Sequence, residues 1–240
     1  MSDCAVLLSG GLDSAVLVAD EATRNEVHPI YVRAGLAWEA AERAIVERLL
    51  ARPAFRARVA PLVTLTVDMT DVYATTHWAM TGRPPAWHTR DEEVYLPGRN
   101  IVLLGKAGVF CALARIERLV MGTLAHNPFP DATPEFRSAI SRALSLGLAH
   151  TLHVDAPYTE LGKAEVIRRG MMLGVPFDLT LSCMSPTTLR SDSTHAGQEE
   201  HPSSLPVHCG TCSKCRERHD AFLAAGVPDP TEYASTAHIS

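Results

Sequence analysis

Cys4-Ala5-Val6-Leu7-Leu8-Ser9-Gly10-Gly11-Leu12-Asp13-Ser14-Ala15-Val16-Leu17-Val18 is the stretch that decides the fold. It opens with an apolar run, Cys4 to Leu8, that stops at Ser9-Gly10-Gly11 and reads as a short buried strand. From Asp13 to about Asp20 apolar residues fall on nearly every side, so the spacing predicts a helix buried all round. A strand that passes through glycines into a helix is an anion site in outline. Glycine lets the backbone approach the ligand, the first-turn N–H groups have no helical partner, and the dipole adds positive charge. Ser9 and Ser14 supply hydroxyl donors. Asp13 cannot face a phosphate directly, so its place is beside Mg2+. No lysine follows the second glycine, which excludes the Walker loop, and the glycine spacing excludes the dinucleotide fingerprint.

Beyond this stretch, residues 27–32 and 62–67 read as strands, and 38–50 has helical spacing through Ala41, Ile45 and Leu49. The strand–helix alternation predicts an α/β fold with a doubly wound, Rossmann-like parallel sheet. Residues 71–98 are rich in Pro, Thr, His and Trp, lack a period, and read as a functional loop region. A helix is expected over 101–114, a strand over 118–122, and a helix over 133–149 with Thr133 as cap and Pro134 in its first position. A strand over 152–156 and helices over 163–173 and 216–224 complete the pattern. Residues 187–205 are polar and aperiodic and read as a mobile insert. The expected organisation is an α/β domain over 1–178 with a C-terminal subregion, 179–240, packed on it.

The chain has 240 residues, 46% hydrophobic and 20% charged, with a net charge of −5. That length suits one large domain or a domain with a small appendage. The negative balance argues against a broad nucleic-acid footprint. No apolar run has the length of a membrane span, and Met1-Ser2-Asp3-Cys4 lacks the basic start of a secretory signal. A cytoplasmic protein is the expectation.

Three of the six cysteines stand together in Cys209-Gly-Thr-Cys212-Ser-Lys-Cys215, and Cys183 lies upstream in Thr180-Leu-Ser-Cys183. Four thiolates would close a tetrahedral zinc site with no open position. The rival is an iron–sulfur cluster with His219 in the fourth place. Cys4 and Cys111 lie in apolar segments and read as core residues.

The Ser-Gly-Gly-Leu-Asp-Ser string resembles the pyrophosphate-binding loop of the ATP-pyrophosphatase superfamily. Combined with the C-terminal cysteines, it resembles the 7-cyano-7-deazaguanine synthase (QueC) family. Further segments fall in the same order. Val94-Tyr95-Leu96-Pro97-Gly98-Arg99-Asn100 is similar to that family's VPGRN, and Phe129-Pro130-Asp131 with Glu135-Phe136 to its YPDCRxEF. Gly162-Lys163-Ala164-Glu165 resembles DKAE, and Thr180-Leu-Ser-Cys183 resembles TLTCY. The resemblance runs from about residue 4 to about residue 225. It implies an ATP site over Leu8–Leu12, Asp13, Ser14 and the helix start Ala15, Val16, Leu17 and Val18, with Mg2+. It implies Arg99 and Lys163 as catalytic cations, Arg99, Asn100, Phe129 and Asp131 at the substrate, and zinc on Cys183, Cys209, Cys212 and Cys215. The implied reaction turns 7-carboxy-7-deazaguanine into the nitrile with ATP and ammonia, by adenylation, amidation and dehydration. A homodimer is implied too.

The chain departs from the family pattern in three places. Leu36-Ala37-Trp38 replaces a Gln-Arg-His group after Gly35. Residues 125–133 lack an acidic residue, a Ser-Gly pair and a Cys-Arg pair. The gap between Cys183 and Cys209 holds 25 residues. The first two changes are expected to line the base pocket. Two further functions therefore stand beside the first: a relative that joins an activated 7-deazaguanine carboxylate to another acceptor, and a tRNA-thiolating enzyme. A nucleotide-sensing module would keep the loop and need neither Arg99 nor Lys163.

Overall fold

The computed structural model describes residues 2–188 and 205–239. Residues 189–204, most of the expected polar insert, lie outside the described residues.

The first strand, β1 (Asp3–Leu7), leads through Leu8–Gly11 into α1 (Leu12–Glu21). Then follow β2 (Glu26–Arg33), α2 (Glu39–Leu50), β3 (Val63–Thr66), a short α3 (Trp78–Thr81) and α4 (Arg99–Ala114). The chain continues through β4 (Arg118–Val120), α5 (Pro134–Leu148), β5 (His153–Asp155) and α6 (Lys163–Met172). A two-stranded ribbon, β6 (Thr187–Thr188) with β7 (Pro206–Val207), precedes α7 (Ser213–Ala225). The main sheet is parallel throughout in the order β3-β2-β1-β4-β5. From β1 the chain builds outward through β2 and β3, then returns to add β4 on the other side. The turn after β1 therefore sits at the switch point, where the crevice of such a sheet opens.

Strand periodicity assigns the two faces. Cys4, Val6 and Leu8 join the core under α1, α2, α6 and α7, while Ala5 and Leu7 meet Leu104, Ala107 and Cys111 of α4. Every residue of α1 except Asp13 is buried, which explains its lack of a polar face. Cys4 and Cys111 are core residues, both fully inaccessible. A third cluster joins Trp38, Tyr73, Trp87 and Leu96 to Cys183, Cys212 and Cys215.

The aperiodic 71–98 stretch holds α3 and a 3-10 turn over Asp91–Val94. Long-range packing orders it. Trp78 stacks on Trp38 with ring centroids 5.7 Å apart, and the Tyr73 hydroxyl donates to the Pro97 carbonyl at 3.1 Å. The helix expected from residue 101 begins at Arg99 instead. Asp131 supplies the reason: its carboxylate accepts from the Asn100 backbone N–H at 3.1 Å and from Asn100 Nδ2 at 3.2 Å. Thr133 caps α5, accepting from the Phe136 N–H at 3.1 Å. No helix among the described residues is long and apolar enough to cross a membrane.

Candidate functional site

The turn after β1 has the geometry of a cradle. Gly10 has φ +80, the left-handed region that glycine enters without strain. Its carbonyl accepts from the Leu181 N–H at 2.8 Å. Ser9 N–H donates to Ser14 Oγ at 3.3 Å, and the Ser14 hydroxyl donates to the Gly11 carbonyl at 3.0 Å. No side chain caps α1. Its first-turn N–H groups therefore point out of the helix end with no intrahelical acceptor, which is the condition for anion binding.

This turn lines a cavity of about 270 Å³. Ser9, Gly11, Asp13 and Ser14 contribute to its wall together with Tyr95, Arg99, Asn100, Phe129 and Asp131. Ala34 and Leu36 form part of the wall, as does Asn127, so both segments that depart from the family pattern face the cavity. Tyr95 and Phe129 stack with centroids 5.2 Å apart and offer a flat aromatic surface.

The two cations behave differently. Arg99 makes no ion pair within 4.0 Å among the described residues, and its buried Nε has no partner. It is a free guanidinium at the cavity wall, suited to a carboxylate or phosphate. Lys163, at the start of α6, lies behind the loop. Its Nζ is 3.2 Å from Asp13 Oδ2 and also contacts Glu217. Burial alone would lower the Lys163 pKa, but the carboxylates of Asp13 and Glu217 outweigh it and hold the ammonium charged. Asp13 is shifted up by burial, with Lys163 opposing. Its Oδ1 is buried without a partner, so the loop carries a carboxylate oxygen fit to ligate a cation such as Mg2+.

Asp131 is 4% exposed and already caps α4 through Asn100. Phe129 and Asn100 face the same space. Asp131→Ala would strand the Asn100 donors. We expect a stability loss of ~1–3 kcal/mol together with weaker substrate binding, measured by thermal denaturation and calorimetric titration. A variant as stable as the wild type would show that the cap is dispensable.

The sequence reading missed Glu42. It lines the cavity and is 8% exposed, and its Oε2 accepts from the Tyr31 hydroxyl at 2.9 Å. The signal was available: Glu42 falls on the same α2 stripe as Ile45, Val46 and Leu49, where an apolar residue belongs. Burial raises its pKa from 4.5 to about 7, with Arg99 opposing and Glu39 adding to the rise. Below pH 4.5 the carboxyl is protonated in both the folded and unfolded chains. As pH rises from there to about 7, the unfolded chain releases the proton first, so stability falls across that window. The full cost above it is about 3 kcal/mol. Glu42→Gln should therefore flatten the melting-temperature profile between pH 4.5 and 7. An unchanged profile would mean that Glu42 is not the group responsible.

The four cysteines predicted as ligands come together from two chain segments. The sulfurs of Cys183, Cys209, Cys212 and Cys215 all lie within 4.8 Å of one another. Sulfur–sulfur distances are 3.5 Å for Cys212–Cys215, 3.8 Å for Cys209–Cys215 and 4.0 Å for Cys183–Cys212. Four sulfurs at ~2.3 Å from one tetrahedral zinc stand ~3.8 Å apart. The cysteines are free thiols rather than disulfides. Backbone N–H groups of Ser185 and Cys209 donate to Cys183 Sγ at 3.3 Å, and Thr211 N–H donates to Cys209 Sγ at 3.4 Å. Cys212 occupies the N-cap of α7. N–H donors and a helix N-terminus both favour thiolates, the form that binds metal. His219 does not complete the set: the four-sulfur group excludes it, and His219 instead lies 3.8 Å from Asp229.

A parallel switch-point sheet, a Ser-Gly-Gly loop entering a buried helix, and a C-terminal cluster of four cysteines that could hold a metal define a protein of the PP-loop class. Its sequence matches the queuosine biosynthesis protein QueC family over residues 3–226, and the chain belongs to that family. It is 34% identical to a 7-cyano-7-deazaguanine synthase of Methanopyrus kandleri, over 97% of this chain and 99% of that one. Proteins of the same name from Anaeromyxobacter dehalogenans and Hydrogenovibrio crunogenus are each 32% identical, covering 95% and 96% of this chain and 94% and 95% of theirs. The names of these relatives indicate an enzyme with a small-molecule substrate.

Proposed function

We propose that this protein is an ATP-dependent ligase that converts 7-carboxy-7-deazaguanine to 7-cyano-7-deazaguanine. The observation that supports it is the single cavity joining the anion cradle to the unpaired Arg99 beside the Tyr95–Phe129 surface. In this reading the loop from Leu8 to Val18 holds the ATP phosphates on backbone N–H groups and the hydroxyls of Ser9 and Ser14. Asp13 would hold Mg2+ through its unpartnered Oδ1, and the ion would supply neutralisation of phosphate charge. Arg99 aims the substrate carboxylate at the α-phosphorus, and the flat ring lies against Phe129. The carboxylate oxygen displaces pyrophosphate from ATP, ammonia displaces AMP and loses a proton to give the amide, and the amide oxygen displaces pyrophosphate from a second ATP, after which AMP carries that oxygen away and loss of the N–H protons leaves the nitrile. Fixed donors and cations aimed at developing charge would carry the rate. Zinc in the four-cysteine site would be structural, since no ligand position stays open.

The same reading includes a homodimer and a cytoplasmic setting. Ile101, Val109 and Leu113 form an exposed apolar stripe along α4, with Leu146 exposed on α5, and such a surface suits a second copy. A net charge of −5 speaks against nucleic acid as partner.

One observation favours a second reading. Leu36 stands in the cavity wall and Trp38 is buried against Trp78 where the family pattern has polar residues. A protein so altered could pass the activated carboxylate to an acceptor other than ammonia. Incubation with ATP, Mg2+, ammonia and 7-carboxy-7-deazaguanine, read by mass spectrometry, separates the two. Amide and nitrile with AMP and pyrophosphate support the first. AMP formed without either product supports the second. No substrate-dependent AMP overturns both.

A further inference from the structure

Glu217 stands two residues beyond the last cysteine of the knuckle, on the second turn of α7. It does not face the metal site. One carboxylate oxygen contacts Lys163, and the other accepts from Lys214 Nζ at 2.6 Å. Lys163 in turn reaches Asp13 Oδ2 at 3.2 Å, on the loop itself. Three elements thus meet through one buried cation: the loop after β1, the start of α6, and α7. A second contact runs parallel to this one, because Leu181, two residues before Cys183, donates its N–H to the Gly10 carbonyl at 2.8 Å. Of the two chain segments that carry the cysteines, one therefore touches the loop directly and the other reaches it through Lys163.

We propose that Glu217 is a positioning residue of the ATP site: it shares Lys163 with Asp13 and keeps the ammonium from closing on Asp13 alone, so that the cysteine knuckle sets the state of the loop through α7. Lys163 has two carboxylate partners and little freedom, with its side chain 15% exposed. If the carboxylate of Glu217 is removed, Asp13 keeps Lys163 to itself. The salt bridge then tightens on Asp13 Oδ2 and competes with any cation that Asp13 would ligate. With Glu217 in place, the lysine charge is shared, and Asp13 retains an oxygen free for Mg2+. Asp13 would reach its functional state only when α7 is anchored at its N-terminus by Cys212 and Cys215.

This inference rests on the reading that the loop binds ATP. Its test uses the zinc-loaded full chain, with Mg2+-ATP titrated calorimetrically into wild type, Glu217→Gln and Glu217→Asp, and with zinc content and melting temperature measured on each. Glu217→Gln should keep one zinc per chain and a near-native melting temperature, yet bind Mg2+-ATP about tenfold more weakly or worse, the scale of one lost bond to a buried charge. Glu217→Asp should restore most of the affinity, since the long Lys163 side chain can follow a shorter carboxylate. Wild-type Mg2+-ATP affinity in Glu217→Gln would overturn the proposal. So would an affinity loss that Glu217→Asp fails to restore, or one that comes with loss of zinc, because both mark a purely structural role. A wild-type chain that binds no Mg2+-ATP would overturn the ATP reading as well. A wild-type chain that binds it without making amide or nitrile removes only the substrate assignment, and the variants then decide this inference alone.

Discussion

Cys212→Ser is expected to release the metal and to lower the melting temperature by roughly 10 °C or more. Cys212 stands at two junctions, since its sulfur lies 3.5 Å from Cys215 Sγ and 4.0 Å from Cys183 Sγ while the residue occupies the N-cap position of α7. Structural zinc sites contribute ~10–16 kcal/mol of binding free energy to folding, against a typical total stability of ~5–15 kcal/mol. Losing the ion leaves the three remaining thiols and a serine hydroxyl among buried neighbours with nothing to join them. Because α7 also carries buried Arg218, which donates to Thr180 Oγ1 and the Phe177 carbonyl, the disturbance reaches the 177–182 segment and through Leu181 the loop. Elemental analysis and calorimetric melting check this. One zinc per chain in the wild type and none in the variant is the expected pair of values. Full zinc and an unchanged melting temperature in the variant would remove the four-sulfur site. A brown wild-type protein with iron and acid-labile sulfide would assign the cysteines to a cluster.

Gly11→Val is expected to remove ATP turnover, with a fall of roughly 10²–10³-fold, the scale of losing anion donors in an active site. The fold should survive it. Gly11 has φ −68 and ψ 159, an extended conformation that valine adopts readily. A Cβ there lies 3.3 Å from Ser9 Oγ and 3.8 Å from the Leu181 carbonyl oxygen, at a residue that lines the cavity. The substitution therefore fills the cradle without breaking the turn. Gly10→Val is the informative contrast, because Gly10 has φ +80 and a Cβ there lies 3.0 Å from Val46 Cγ2. That variant should lose stability as well as activity. Release of AMP and pyrophosphate, read beside circular dichroism, separates the two. Near-wild-type ATP consumption by Gly11→Val would take the loop out of the mechanism.

Much of this was legible in the sequence because the signals are local. Residues 4–18 specify a strand, a turn and a buried helix by periodicity and by glycine, and those two properties need no distant partner. The cysteine run pointed to four converging sulfurs because metal-ligand chemistry favours that spacing, and the four sulfurs do converge. Thr133 could be read as a cap for the same reason, since its acceptor role is settled within three residues. The tertiary structure alone decided which charged groups are paired. Arg99 and Lys163 look alike as isolated cations, yet one lines the cavity with no ion pair among the described residues and the other is held by Asp13 and Glu217, 150 and 54 residues away. Asp131 read as a group at the substrate, and folding gave it a helix 31 residues upstream to cap. Glu42 stood out in the sequence only as an acid on an apolar stripe, and its partner Tyr31 was decided when that stripe met the sheet. The physical reason is common to all four: burial and pairing of charge depend on which segments meet, and periodicity fixes only which face of each segment is available to meet.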